Sequence, residues 1–254
     1  QKITNNDFLI LINKASNWLR ENKIDIKFLK IDDDLERNFN FDLRYLIKYN
    51  QYEGFRTGFG GVTNSKLSEK YKLGFYGAYG FKDAEFKYGI TPSYLLNKKS
   101  ETWISASYSD DVSELAQTSF VTDSRKFRLY DPRPINISTF YNIKTAALIL
   151  ESKVFPKLNT YFSISQNEIQ PLFDYTFVND GKNYTEYSIS SVLLGLQWNP
   201  FSNYMNTPLG VIEIEKRHPK FSLQYTQTLP DVIGNDFTFS KIDFKTFYEV
   251  PYLS

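Results

Sequence analysis

The chain has 254 residues, with 30 Lys and Arg against 29 Asp and Glu, so its formal net charge is only +1. This balance removes the electrostatic argument for binding nucleic acid. The chain has no cysteine, which excludes disulfides, thiolate metal sites and cysteine nucleophiles. The longest apolar runs, Phe8–Ile12 and Ala146–Leu150, are far shorter than the ~20 residues of a membrane-spanning helix. The chain still has 19 Tyr and 22 Phe, at a mean hydropathy of −0.42.

The N-terminal part reads as a short α/β segment. Apolar residues recur at helical spacing over 5–22, and Ile24–Phe28 alternates as a strand does. Asp32–Asp34 is most simply a solvated linker. We therefore divide the chain into an N-terminal helix-strand segment with its linker, 1–40, and a β-rich part, 41–254. Because Gln1 is not an initiator methionine, we expect an excerpt of a longer protein.

From residue 41 onward the hydrophobic period is two. In Phe86–Tyr94, large apolar residues alternate with Lys87, Gly89, Thr91 and Ser93. The pattern predicts about eleven strands, several longer than is usual in soluble sheets. They are expected near 41–50, 55–63, 71–79, 86–94, 101–109, 139–151, 159–167, 185–198, 211–217, 221–226 and 242–248.

The connections differ in length. Those near 50–54, 81–85, 96–100 and 154–158 are tight, whereas 110–137 and 167–183 are long and polar. Tight turns at one end and long loops at the other are typical of an antiparallel barrel.

Two kinds of β-protein share this alternation. A soluble sandwich or lipocalin-type barrel turns its apolar side inward, whereas an outer-membrane barrel turns it to lipid around a polar interior. Aromatic residues at strand ends favour the membrane barrel, because such residues form girdles at the bilayer interfaces. These residues are Tyr71, Tyr79, Phe86, Tyr94, Tyr108, Tyr187, Trp198 and Tyr248.

The run Tyr49–Asn64 (YNQYEGFRTGFGGVTN), followed by Tyr76–Gly89, resembles a Bacteroidota outer-membrane family, as does Arg217–Thr226. That family has a carboxypeptidase-like regulatory domain and a C-terminal BamA-like barrel domain of unknown function. The resemblance implies that this chain is the barrel part, incomplete, in the outer membrane. The Val-Arg-Gly-Phe motif of assembly and secretion members of the superfamily is absent from the sequence, which argues against a direct insertase role.

The polar sides of the strands supply the candidate site residues. Glu53 and Arg56 stand three apart and could form a salt bridge inside the barrel or a pair that stabilises a turn. We assign six residues as lumen or structural candidates. They are Glu53, Arg56, Lys72, Lys87, Asp243 and Lys245.

Three other motifs could indicate a phosphate loop, a catalytic base or a calcium site, but each has a simpler structural interpretation. The glycines of 54–61 lack the helix and Lys-Ser/Thr of a phosphate loop, so we expect them to allow sharp bending or close packing. His218 near Ser222 is the only general base that a lipid hydrolase could use, and a loop histidine is the simpler interpretation. Asp110–Asp111 could offer calcium oxygen ligands, although solvated acidic loops are commoner.

The sequence thus predicts an all-β, antiparallel transmembrane barrel without enzymatic activity, catalytic residues, metal or cofactor. We expect it to act as a scaffold or accessory in envelope assembly. Its expected partners are the outer-membrane bilayer and other outer-membrane or periplasmic proteins. A passive or gated channel, an outer-membrane lipid hydrolase and a soluble β-barrel are the alternatives.

Overall fold

The computed structural model describes residues 38–115, 119–122, 139–155, 157–179, 182–207, 210–230 and 234–249. The helix predicted over 5–22, the strand Ile24–Phe28 and the acidic linker Asp32–Asp34 lie outside these residues. Within the described ranges, no helix is long and apolar enough to cross a membrane.

Strands make up nearly all of the regular structure, because apolar and polar side chains alternate along these segments. Their bounds are β1 Phe39–Phe41, β2 Ile47–Asn50, β3 Gly54–Thr63, β4 Tyr71–Gly80, β5 Phe86–Asn97, β6 Thr102–Glu114, β7 Phe140–Phe155, β8 Leu158–Pro171, β9 Phe177–Asn179, β10 Lys182–Tyr184, β11 Tyr187–Trp198, β12 Asn203–Thr207, β13 Gly210–Glu215, β14 Lys220–Thr228 and β15 Ser240–Phe247.

Eleven of these strands form one antiparallel sheet, in the order β1-β3-β4-β5-β6-β7-β8-β11-β14-β15, with β2 also paired to β3. A 3-10 turn, Leu43–Tyr45, separates β1 from β2, so the two occupy one strand position beside β3. The hairpins β9–β10 and β12–β13 stand apart from this sheet. Among the described residues, β15 does not pair with β1 or β2. The all-β, antiparallel prediction is confirmed, and the sheet is open.

The register gives the sheet two chemically different faces. Along β7, Leu148 and Leu150 lie on one face and Thr145 on the other, where it pairs with Ser109 of β6 and Asn167 of β8. We call the first the apolar face; its members include Phe59, Ile90, Ile104, Leu148, Ile164, Leu194, Leu223 and Phe244. We call the second the polar face; its members include Arg56, Lys72, Lys87, Ser105, Asp111, Ser163, Ser191, Gln224 and Asp243.

Burial is inverted relative to an ordinary globular sheet. Among the described residues, the only buried hydrophobic side chains are those of Ala78 and Phe140. Apart from glycines, the remaining buried residues are polar or charged, and include Glu53, Arg56, Lys87, Ser105, Ser163, Ser191, Ser222, Gln224 and Thr228. In contrast, Leu148 is 59% exposed and Phe244 66% exposed on the apolar face. Soluble proteins rarely expose so large and continuous an apolar surface.

The apolar face does not extend along the whole length of the longest strands. β7 has 16 residues and β8 has 14. On this face, Leu148 and Ile164 are followed toward one end of the sheet by Lys144 and Glu168, which are paired with each other in register. The apolar side chains therefore form a band, and these strands continue beyond it as a polar extension.

The connections correct the expectation of tight turns at one end and long loops at the other. Because the strands alternate in direction, the long connections 115–139 and 172–186 lie at the same end as the tight turns 51–53 and 81–85. The tight turns 98–101 and 156–157 lie at the opposite end, where the connection 199–219 carries the β12–β13 hairpin. We refer to the end that has the connections 115–139 and 172–186 as the long-loop end.

The predicted strand positions are largely confirmed, with local corrections. The segment 41–50 is interrupted by its 3-10 turn, and 211–217 belongs to the small β12–β13 hairpin. The long loops begin later than predicted, because β6 continues to Glu114 and β8 to Pro171. Most of the predicted girdle residues lie on the apolar face, but Tyr187 pairs with Ile169 on the polar face.

Candidate functional site

Five charged residues meet at the long-loop end of β3 to β6. Glu53 lies in the turn before β3 and Asp83 in the turn before β5, and each turn is held by backbone hydrogen bonds. Arg56 of β3 and Lys87 of β5 point from the polar face toward them, and Asp111 of β6 binds Arg56. We call these five residues the ionic cluster.

Arg56 joins β3 to β6 across two intervening strands. Its Nη1 donates to Asp111 Oδ1 at 2.5 Å and its Nη2 to Asp111 Oδ2 at 3.0 Å. Tyr76 Oη donates to the same Oδ2 at 2.9 Å. A bidentate arginine–carboxylate pair is among the stronger polar contacts in proteins, and its fixed fork also sets the spacing of the strands that carry it.

Glu53 is 1% exposed and lies between the two cations. Its Oε1 is 3.4 Å from Arg56 Nη1 and 3.5 Å from Lys87 Nζ. Asn50 Nδ2 donates to Glu53 Oε2 at 2.5 Å, and Asn50 Oδ1 accepts the Glu53 backbone N–H at 2.7 Å. The buried carboxylate is thus satisfied on both oxygens, as a charge removed from water must be.

Lys87 is 2% exposed and holds the turn between β4 and β5. Its ammonium forms a close ion pair with Asp83, besides its contact with Glu53. It also donates to the backbone oxygen of Glu85 at 3.4 Å. Lys87 therefore ties its own strand to both of the turns at the long-loop end.

A stacked pair of tyrosines covers the polar face next to the ionic cluster. The rings of Tyr45 and Tyr76 are 4.4 Å apart and nearly parallel. A Cβ on Gly60 would lie 2.6 Å from the Tyr45 ring, and one on Gly89 2.4 Å from the Tyr76 ring. Glycine is therefore required at both positions. Gly60 serves close packing, one of the two roles expected for the glycines of 54–61.

The structure brings together three of the six residues assigned from sequence, Glu53, Arg56 and Lys87. The other three lie elsewhere on the polar face. Lys72 Nζ is 3.7 Å from the centroid of the Trp103 ring, Asp243 pairs with Lys241 at 3.0 Å, and Lys245 lies 5.1 Å from the Phe120 ring.

Two carboxylates of the ionic cluster, Asp83 and Asp111, are not among the residues predicted from the sequence. The solvated loop or calcium site expected at Asp110–Asp111 is wrong, because both residues lie within β6 and Asp111 binds Arg56. Extending the alternation of 101–109 by a few residues would have put Asp111 on the polar face. Within the described part of the chain, no group of three His, Cys, Asp or Glu side chains could hold a metal ion.

His218 has a partner other than the serine considered from sequence. Its Nε2 is 3.1 Å from Glu249 Oε2, and its ring packs 5.1 Å from that of Phe247. Ser222 is buried on the polar face, in register with Lys245. The described contacts of His218 are those of a side chain that fastens the end of β15.

The family model described as the C-terminal domain of a family of unknown function, DUF5686, matches residues 30–252. The chain belongs to this family. The DUF5686 C-terminal domain thus spans the whole described sheet, from β1 to β15. The resemblance to a domain of unknown function is confirmed. Comparisons with curated proteins and with solved structures gave no significant match.

Proposed function

We propose that this DUF5686 domain is the transmembrane β-barrel part of an outer-membrane protein and acts as a non-enzymatic scaffold or accessory in envelope assembly. One observation carries the proposal: large apolar side chains are exposed along one face of the sheet, while charged and hydroxylated residues are buried on the other. This is the arrangement of a barrel with lipid outside and a polar interior.

The width of the apolar band supports the same proposal. A tilted transmembrane strand needs about 9–11 residues to cross the bilayer. On β7 the apolar face runs from Ala146 to Phe155, interrupted by Ser152, before Lys144 begins the polar extension. On β8 it runs from Leu158 to Ile164, interrupted by Thr160. A bilayer is therefore the occupant that fits the band, and the extension would project into water at the long-loop end.

The type of barrel follows from the resemblance of Tyr49–Asn64 and Tyr76–Gly89 to the Bacteroidota outer-membrane family. We propose a BamA-like barrel from a Bacteroidota outer-membrane protein that also carries a carboxypeptidase-like regulatory domain. The open sheet is consistent with a barrel that is incomplete among the described residues.

The ionic cluster supports a structural role over a catalytic one. Each of its charged groups has a partner of opposite charge, and together they fix two turns and three strands. The tight turns at the long-loop end, held on such a rigid support, suit contacts with other outer-membrane or periplasmic proteins.

A channel is the second candidate, favoured by the small hydroxyl groups on the polar face. Ser105 Oγ donates to Ser93 Oγ at 2.8 Å, and the Ser165 and Ser191 hydroxyls are 3.3 Å apart. Small polar side chains of this kind would leave room for water and solutes in a closed barrel.

The proposal is tested on the full-length protein in its native membranes. We expect it to sediment with the outer membrane, to resist extraction by sodium carbonate and to co-purify with other envelope proteins in mild detergent. Release into the soluble fraction by carbonate would overturn the membrane assignment. Retention in the membrane without any stoichiometric partner would overturn the scaffold role and leave the channel as the candidate function.

A further inference from the structure

Residues 119–122 of the β6–β7 connection lie on the polar face, far along the sheet from the strands that they join. They contact Gly195 of β11, Gln224 of β14 and Lys245 of β15. These strands lie two, three and four positions beyond β7 in the sheet. At about 4.8 Å between strands, the segment reaches across roughly 10–20 Å of the polar face. We call it the docked segment.

Val121 is fitted to a place where β11 has no side chain. A Cβ built on Gly195 would lie 2.7 Å from Val121 Cγ2 and 3.6 Å from Thr122 Cγ2. Real Cβ atoms essentially never approach another atom as closely as the first of these distances. A side chain at 195 that is not bonded to residue 121 would therefore push the docked segment away from the sheet.

Two polar contacts hold the same segment. The Val121 backbone N–H donates to Gln224 Oε1 at 3.1 Å, and Gln224 is itself buried. The Lys245 ammonium lies 5.1 Å from the centroid of the Phe120 ring, within the range of a cation–π contact. Three different strands thus hold Phe120, Val121 and Thr122 by close packing, a hydrogen bond and a cation–π contact.

We propose that the docked segment is an internal plug, which closes the polar interior of the barrel and opens a solute path when it leaves Gly195 and Gln224. The proposal rests on the membrane barrel proposed above, because only in a closed barrel does the polar face line a lumen. Loops that fold inward are a common way to obstruct such a lumen.

The first experiment tests docking directly. Because the chain has no cysteine, the double variant Val121→Cys with Gly195→Cys places the only two thiols at the contact. Disulfides require Cβ atoms about 3.5–4.5 Å apart. A Cβ at 195 would lie 2.7 Å from Val121 Cγ2, the atom whose place the sulfur of a cysteine at 121 can take. We expect mild oxidation of native membranes to form the disulfide, and the control Val121→Cys with Ser107→Cys to stay reduced. A reduced test variant, or equal crosslinking of both, would overturn the plug.

The second experiment tests closure by single-channel recording in planar bilayers. We expect the wild type to be mostly silent and the disulfide form to be silent. Reductant should raise the open probability of the double variant above that of the wild type, because the side chain at 195 is then no longer bonded to residue 121. Gln224→Leu removes the acceptor for Val121 and should raise the open probability about tenfold, the effect of one lost hydrogen bond. Gly195→Leu should open the path further, and Gly77→Ala, at a position with open space around it, should change nothing.

The outcomes separate the plug from the barrel itself. Crosslinking can be scored whether or not the protein lies in a membrane, so its absence counts against the docked segment alone. Failure of the protein to insert into bilayers counts against the proposed barrel. Insertion with a steady open conductance that is unaffected by the disulfide would overturn the plug and support the passive channel.

Discussion

Replacing Lys87 with Met removes the cation that joins the two turns at the long-loop end. The substitution keeps a long unbranched side chain, so the main change is the loss of charge. Glu53, 1% exposed, would then depend on Arg56 and Asn50 alone. Asp83 would lose the ammonium with which it is paired.

The expected cost follows from this burial. Removing one partner from a buried ion pair leaves an uncompensated charge and typically costs about 3–5 kcal/mol. We expect Lys87→Met to fall within that range, because its ammonium serves two buried carboxylates. A second substitution, Asp83→Asn, should restore part of the loss, since it removes one of the stranded charges.

The assay is denaturant-induced unfolding of the detergent-solubilised protein, followed by tryptophan fluorescence. Lys98→Met provides the matched control, because Lys98 pairs with Glu69 at 2.9 Å while both side chains are more than half exposed. The hydrogen bond from Lys98 lowers the pKa of Glu69, yet solvent screens this pair. We expect no measurable change in its unfolding midpoint.

A Lys87→Met variant as stable as Lys98→Met would refute the reasoning. It would mean that water reaches Glu53 and Asp83, and that the ionic cluster does not hold the turns together. Adding Asp83→Asn should raise the stability of the Lys87→Met variant and should not raise that of the Lys98→Met variant. This result would show that the loss is caused by charge and not by packing.

Two further substitutions test the packing and the geometry of the same region. Gly89→Ala should cost about 1–3 kcal/mol, because its Cβ would meet the Tyr76 ring at 2.4 Å. Gly77→Ala should be neutral or slightly stabilising in the same unfolding assay, and equal losses would contradict the close approach. Arg56→Lys should cost about 1.5–3 kcal/mol by breaking the bidentate contact with Asp111, and a neutral result there would contradict the described fork.

The sequence predicts the strands well because residues of the apolar face and of the polar face alternate with period two, a signal that any short window contains. It predicts their ends poorly. β6 runs into Asp110 and Asp111, which resemble a solvated loop until their partners are known. The 3-10 turn between β1 and β2 has hydrogen bonds from Arg44 to Asp42 and packs Tyr45 over Gly60, contacts that no periodicity encodes.

The candidate site illustrates a different limit. Glu53 and Arg56 are three residues apart, so the sequence predicts that they meet. Asp111 is 55 residues from Arg56, and only the strand order β3-β4-β5-β6 brings it into reach. The position of the docked segment is even harder to predict from the sequence, because Val121 and Gln224 are separated by 103 residues and meet across the polar face.

The most direct test of the membrane barrel compares the two faces at adjacent positions of one strand. Leu148 is 59% exposed on the apolar face, and Ala147 pairs with Ser107 and Ser165 on the polar face. Single-cysteine variants Leu148→Cys and Ala147→Cys, labelled with an environment-sensitive dye in lipid vesicles, report which face meets lipid. We predict that brominated lipids quench the dye at 148 and leave the dye at 147 unaffected. Quenching at 147 alone, or at neither position, would contradict the proposed barrel.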